Sequence, residues 1–200
     1  MSQTVFIVDD DESMRDALTQ LLEAAGLRVE SHADGPAFLA AYAEDRPGCL
    51  ILDMAMPGMN GTEVQAALKA RGLPLPILFL TGHGDIPMAV RAMQEGAVDF
   101  LEKPIPGSTL LERVKSALML DSEWRQTRLY AQTAQQSHAR LSPREREIMT
   151  LTASGLTSKQ VAQQLGISPR TVEVHRTHVM HKMGAANVAE LVSMAAHCKS

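Results

Sequence analysis

Cysteine is scarce in this chain of 200 residues, with only Cys49 and Cys198 present. Two such distant thiols have neither metal-ligand spacing nor the pattern of a disulfide framework, which points to a reducing cytoplasm. Long hydrophobic runs are missing too. No stretch approaches the roughly 20 apolar residues that cross a bilayer, so no membrane partner is expected. Nor does the amino terminus place a basic segment before an apolar one, as a secretion signal does. A third absence is local: from Ser108 to Ser142 there is neither Gly nor Pro. That stretch lacks the usual helix stops.

What is present divides in two. The hydrophobic fraction of 45% is enough for one large or two modest domains with real cores. The net charge of −4 hides an asymmetry: residues 1–120 carry 9 Lys/Arg against 17 Asp/Glu, and residues 121–200 carry 10 against 6. The back part also holds five of the seven histidines. An acidic front and a basic back imply two domains with different partners, a polyanion suiting the second.

In the front part, short apolar runs alternate with helical spacing. Strands are expected at Val5 to Val8 and over 27–31, 49–53, 76–80 and 97–102. Helices are expected after the first acidic cluster (Met14, Leu18, Leu21, Leu22) and over 35–44, 61–71 and 86–95, with a long one after 107. Five β-α units in about 115 residues predict a doubly wound, five-stranded parallel sheet. Two runs end in carboxylates: Val5 to Val8 leads into Asp9, Asp10, Asp11 and Glu12, and Cys49 to Leu52 leads into Asp53. In such sheets chemistry collects at the carboxyl ends of strands. Two of those ends in one crevice gather three or four carboxylates, whose mutual repulsion a hard cation such as Mg²⁺ relieves. Asp11 and Glu12 fit equally well as acids at a helix N-terminus. His83 reads as a loop residue rather than a base.

Val-Asp-Asp-Asp-Glu at 8–12, Asp53 with Met56-Pro57 and Gly61, Thr81, and Lys103-Pro104 together resemble the motif set of a response-regulator receiver domain. The resemblance implies that Asp53 accepts a phosphoryl group from a sensor histidine kinase. It implies that Asp9, Asp10, Asp53 and the backbone carbonyl of Ala55 hold Mg²⁺, and that Thr81 and Lys103 engage the phosphoryl oxygens. Phe100 occupies the place of the family's switching aromatic. The chemistry agrees, because a carboxylate is a weak nucleophile that needs its incoming phosphoryl group oriented and neutralised. Lys103 supplies a fixed positive charge, and a Thr81 contact made only to phosphate gives a switch its differential interaction.

The Gly- and Pro-free stretch predicts a helical linker over 121–138, coupling the domains stiffly or pairing with a second copy, a frayed tether beyond about 125 being the other reading. Residues 139–200 read as an all-α domain of four helices. Ser142-Pro143-Arg144-Glu145 and Thr157-Ser158-Lys159-Gln160 are capping boxes, Ser168-Pro169 opens a third helix, and Asn187 caps a fourth. Helix, short Gly-containing turn, helix is the helix-turn-helix plan, whose second helix enters the major groove of double-stranded DNA. On the third helix Val172, Val179 and Met183 make the buried stripe. Arg170, Val174 and Thr177 lie opposite as base contacts, Glu173 could accept from cytosine, and Lys159, His175, Arg176 and Lys182 suit phosphates.

Leu-Ser-Pro-Arg-Glu at 141–145, Gly155-Leu156-Thr157 and Ser-Pro-Arg-Thr-Val-Glu-Val-His at 168–175 resemble the LuxR-type DNA-binding domain. With the receiver motifs and Thr-Gly-His-Gly-Asp-Ile-Pro-Met at 81–88, the whole chain resembles a FixJ-type response regulator. That resemblance implies a phosphorylation-controlled transcription regulator that dimerises when phosphorylated and binds a two-fold operator. It implies no enzyme activity beyond self-phosphotransfer and autodephosphorylation. Two rivals belong to other classes. An Mg²⁺-dependent phosphohydrolase would use a similar aspartyl phosphate but leaves the basic back part unexplained. A ligand-sensing LuxR-type regulator needs an apolar pocket where this sequence puts carboxylates.

Overall fold

The computed structural model describes residues 3–42, 45–82 and 86–198, apart from the side chains of residues 86 and 87. The chain forms two compact units, Met1–Trp124 and Arg125–Ser200.

Unit 1 is built on five parallel strands, β1 (Thr4–Val8), β2 (Arg28–His32), β3 (Gly48–Asp53), β4 (Ile77–Thr81) and β5 (Asp99–Glu102), in the order β2-β1-β3-β4-β5. Strands β1, β3 and β4 are buried along their whole length, as their unbroken apolar runs require. Alternate residues serve opposite faces. Val5, Ile7, Ile51, Leu78 and Leu80 pack with Leu18 and Leu22 of α1 (Glu12–Ala24) and with Leu110 and Val114 of α5 (Gly107–Ala139). Phe6, Val8, Leu50, Leu52 and Phe79 pack against α2 (Gly35–Ala41), α3 (Gly61–Ala70) and Ala92 of α4 (Ile86–Gln94). Phe6, Phe38 and Tyr42 are fully buried and in mutual ring contact, each such pair contributing about 0.5–1.5 kcal/mol beyond area burial.

Two element ends differ from the sequence expectation by more than one residue. Helix α2 stops at Ala41 rather than continuing to 44. Tyr42 turns out of the helix to fill the core, and its hydroxyl donates to the carbonyl of Arg46. Strand β5 begins at Asp99, not 97, because the Ala97 N–H is taken by the carbonyl of Ala92 at the end of α4.

Helix α5 is continuous over 33 residues, so the frayed tether is replaced by regular helix. Residues 121–138 are also more than a connector. Asp121 is buried in unit 1, where it accepts from the Gly48 N–H (2.9 Å) and from Gln3 Nε2 (3.2 Å). Ala134 is fully buried in unit 2, in a core with Leu141, Met149, Val179, Met183 and Leu191.

Unit 2 adds α6 (Pro143–Ala153), α7 (Ser158–Leu165), α8 (Pro169–Met183) and α9 (Val188–Ala196). Both capping boxes form, at Ser142 with Glu145 and at Thr157 with Gln160. The turn between α7 and α8 is made by Gly166 at φ 65°, a left-handed conformation that glycine adopts without cost to a β-carbon.

Candidate functional site

The carboxyl ends of the strands in unit 1 bring one cluster together. Asp9 follows β1, Asp53 ends β3, Thr81 ends β4 and Lys103 follows β5. The Lys103 ammonium donates to Asp53 Oδ1 at 2.6 Å and to Asp9 Oδ2 at 2.7 Å. Asp53 Oδ2 accepts from the Ala55 N–H, and Asp9 Oδ1 accepts from the Asp11 N–H, both at 2.9 Å. All four carboxylate oxygens are therefore hydrogen-bonded, as buried charges must be. Asp9 is 2% exposed and Asp53 6%.

Burial raises the Asp53 carboxyl above the usual carboxylate value. The Lys103 ammonium pulls it back, and the charge of Asp9 pushes it up again. Burial works against the Lys103 ammonium too, but its hydrogen bonds to Asp53 and Asp9 prevail and leave its pKa raised. Lys103 stays charged between two partners, and Asp53 is more basic than an exposed aspartate. This suits a nucleophile.

Two acids converge here, not three or four. Asp10 is exposed, and Asp11 points its carboxylate at the N–H groups of Ser13 and Met14 as the N-cap of α1. Glu12 sits in the first turn of that helix, where the dipole favours an acid. Among the described residues no group of three or more acids, histidines or cysteines is gathered closely enough to hold a metal ion.

Thr81 is buried, and its carbonyl accepts the Lys103 N–H at 2.7 Å, which ties the ends of β4 and β5. Phe100 is half-buried with its ring 6.4 Å from that of Phe79. Gly61 lets α3 begin directly against the site, since a β-carbon there would lie 2.6 Å from the Asp53 carbonyl oxygen. His83 lies outside the described residues.

In unit 2, Val172, Val179 and Met183 are the buried residues of α8. Lys159, Arg170, Glu173, Val174 and Thr177 are exposed, Val174 at 50%. The Thr177 hydroxyl donates to the Glu173 carbonyl. Three residues read as phosphate contacts have other surroundings. The Arg176 guanidinium donates to Ser158 Oγ at 2.9 Å, joining α8 to α7. Lys182 donates to Glu145 Oε2 at 2.8 Å, joining α8 to α6. His175 is half-buried, with Nδ1 shielded and without a hydrogen-bond partner among the described residues. All three flank the buried stripe, so part of each side chain faces protein.

Glu145 was legible as a helix cap but not as a cross-helix ion-pair partner. Hydrogen bonds from Lys182 and from the Ser142 N–H hold its carboxyl down to about 2. A carboxyl more acidic when folded adds stability above its ordinary value, and this is lost as pH falls. Unit 2 is therefore expected to lose stability as pH drops from about 4.5 to about 2. In Glu145→Gln, thermal unfolding of that unit should show a flatter acid limb and a lower midpoint at neutral pH. An unchanged acid limb would remove Glu145 from the account.

Comparison with known proteins identifies the family of each unit. Residues 5–115 match the family model of the response regulator receiver domain, and residues 139–195 that of the bacterial regulatory proteins of the luxR family. The transcriptional regulatory protein FixJ of Bradyrhizobium diazoefficiens is 44% identical over 191 residues, covering 96% of this chain and 93% of that protein. The C4-dicarboxylate transport transcriptional regulatory protein DctR of Rhodobacter capsulatus is 46% identical over 197 residues, covering 97% of this chain and all of that protein. Among solved structures, the response regulator StyR superposes with a TM-score of 0.83 at 43% identity, over 98% of this chain and 99% of that one. The chain therefore belongs to the FixJ-type response regulators, a receiver domain with a LuxR-type DNA-binding domain, and not to a catalytic enzyme family.

Proposed function

We propose that Asp53 is the phosphoacceptor of a two-component system and that its phosphorylation controls sequence-specific DNA binding by α8. The observation that carries this reading is the Lys103 ammonium held between the buried carboxylates of Asp9 and Asp53. An Asp53 carboxylate oxygen forms an O–P bond as the N–P bond to the kinase histidine breaks, and the imidazole takes up a proton as it leaves. Lys103 remains beside the transferred group as a fixed positive charge, where developing negative charge is greatest. Self-phosphotransfer and autodephosphorylation are its only chemistry.

Receiver domains generally bind Mg²⁺ at the phosphorylation site. The donor set here fits that ion. Mg²⁺ takes oxygen ligands and is usually held by one or two carboxylates, water and phosphate oxygens, and two carboxylates converge here. Asp9 and Asp53, which converge, would hold it with the Ala55 carbonyl, the exposed Asp10 of the same loop completing the set. It would supply neutralising charge for the phosphoryl oxygens.

Thr81 and Phe100 then act as the switch. A hydrogen bond from the Thr81 hydroxyl to phosphate draws β4 towards Asp53, and Phe100 repacks beside it. Phosphorylated receivers pair, and two copies of α8 meet a two-fold operator. Pairing raises DNA affinity through effective concentration without new contacts. No described helix is long and apolar enough to cross a membrane, and the reading puts the protein in the cytoplasm.

Gel-shift titration over a genomic fragment library, with and without a phosphoryl donor, tests this scheme. Phosphorylation is expected to tighten binding to a small set of fragments. On one of them, Arg170→Ala should cost about 1–3 kcal/mol and relax preference at one base. Lys159→Ala should weaken all fragments alike and reduce the salt slope by about 1. Donor-independent binding would overturn the scheme.

A further inference from the structure

We propose that Arg15 is a positioning residue for the metal-binding loop, holding the Asp9–Asp10 backbone in the conformation that presents Asp9 to Asp53. The inference rests on the function proposed above. Arg15 lies on α1, half-buried, one turn after the acidic cluster. Its Nη1 donates to the carbonyl of Asp9 at 2.8 Å and to that of Asp10 at 3.1 Å. One guanidinium nitrogen thus fixes two successive peptide planes.

The rest of the loop is tied from the other side. Asp9 Oδ1 accepts the Asp11 N–H, and Asp11 in turn caps the helix that carries Arg15. The backbone from Asp9 to Asp11 is therefore enclosed in a ring of hydrogen bonds that closes through Arg15. Without the guanidinium, two carbonyl oxygens beside four consecutive acids lose their cationic donor. The peptide planes are then free to rotate, and the Asp9 carboxylate rotates with them.

A second role for Arg15, simple charge neutralisation, makes the opposite prediction. Removing a nearby positive charge would strengthen cation binding, whereas removing a positioning contact weakens it. The sign of the effect decides.

The experiment is direct titration of the full chain with Mn²⁺, free metal being followed by electron paramagnetic resonance, for wild type, Arg15→Ala and Arg15→Lys. Outer partners of metal ligands typically change affinity by 10–100-fold, and Arg15→Ala is expected to bind Mn²⁺ about 10-fold more weakly. Arg15→Lys, which keeps the charge and a donor one bond shorter, should fall between the two. In parallel, labelling of Asp53 by a small acyl phosphate should need more Mg²⁺ in Arg15→Ala but reach the wild-type rate at saturation. Mn²⁺ binding by Arg15→Ala as tight as wild type, or tighter, overturns the proposal. So does a lower labelling rate at saturating Mg²⁺ with an unchanged half-saturation point. A wild-type chain that binds Mn²⁺ but takes no label at Asp53 would instead overturn the function on which the inference rests.

Discussion

Asp53→Asn is expected to abolish labelling by a small acyl phosphate and to remove every effect of that donor on self-association and DNA binding. The carboxamide keeps the shape of the side chain, but its single oxygen can accept only one of the two donors that Asp53 holds on separate oxygens, the Ala55 N–H or the Lys103 ammonium. It has no anionic oxygen to attack phosphorus. The substitution therefore separates the chemistry of the position from its packing.

The same variant carries a stability prediction of opposite sign. Burial raises the Asp53 carboxyl, so at neutral pH the folded protein holds this charge at a disadvantage. A carboxyl with a raised folded value binds its proton more readily in the folded state. Its contribution to stability grows as pH falls through the window between the ordinary and the raised values. Asn removes the charge and the disadvantage, while Asp9 remains as a partner for Lys103. Thermal unfolding of unit 1 should move to higher temperature at pH 7 and show less dependence on pH in the weakly acidic range. Mass spectrometry of the donor-treated chain reads the first effect and calorimetry the second. Label retained by Asp53→Asn would move the phosphoacceptor elsewhere.

Why could the strand ends that carry this site be read in the sequence? Its four parts sit at strand ends, and the strands announce themselves. Val5 to Val8, Cys49 to Leu52 and Ile77 to Leu80 are unbroken apolar runs because both faces of the sheet are covered. Asp53, Thr81 and Lys103 then follow at places where the chain leaves the sheet. Capping boxes at Ser142 and Thr157 were equally legible, since the pattern that specifies them spans only four residues.

What stayed hidden depends on partners distant in sequence. Lys182 looks like a solvated cation until Glu145, 37 positions earlier, is brought beside it. Tyr42 looks like a helix residue until the rings of Phe6 and Phe38 draw it out. Arg15 fits any surface position of an amphipathic helix, and only the path of the Asp9–Asp10 backbone shows its use. A cation one turn into a helix that follows four acids was the available signal.

Asp121 is the largest of these omissions, and its removal should be the most damaging to stability. Leu110, Val114, Ala117, Asp121, Trp124, Arg128 and Ala131 fall at alternating steps of three and four. There Asp121 reads as a polar interruption, yet it is 1% exposed. Its carboxylate accepts the Gly48 N–H at the start of β3 and the Gln3 amide at the start of β1. Gln3 also donates to the Leu118 carbonyl of α5 at 2.6 Å. The helix is thus fastened to two central strands at the end of the sheet opposite Asp53. No apolar side chain can replace these contacts, because the Gly48 N–H would remain buried without an acceptor. The backbone is closely packed there, since a β-carbon at Gly48 would overlap the Thr4 carbonyl oxygen. A buried N–H left unsatisfied costs about 1–3 kcal/mol, and hydrogen bonds to a charged group contribute about 1.5–3 kcal/mol. Asp121→Ala is therefore expected to destabilise unit 1 by about 3 kcal/mol. Both donors share Asp121 Oδ2. Asp121→Asn, with its amide oxygen in that place, therefore keeps the acceptor for Gly48 and Gln3 but loses the charge, and should cost about 1 kcal/mol. Urea unfolding of the full chain, read on the transition of unit 1, measures both. Amide exchange at Gly48 supplies the local check, with protection lost in the Ala variant and largely kept in the Asn variant. Equal midpoints for wild type and Asp121→Ala would mean that water satisfies the Gly48 N–H, and that Asp121 does not fasten the helix.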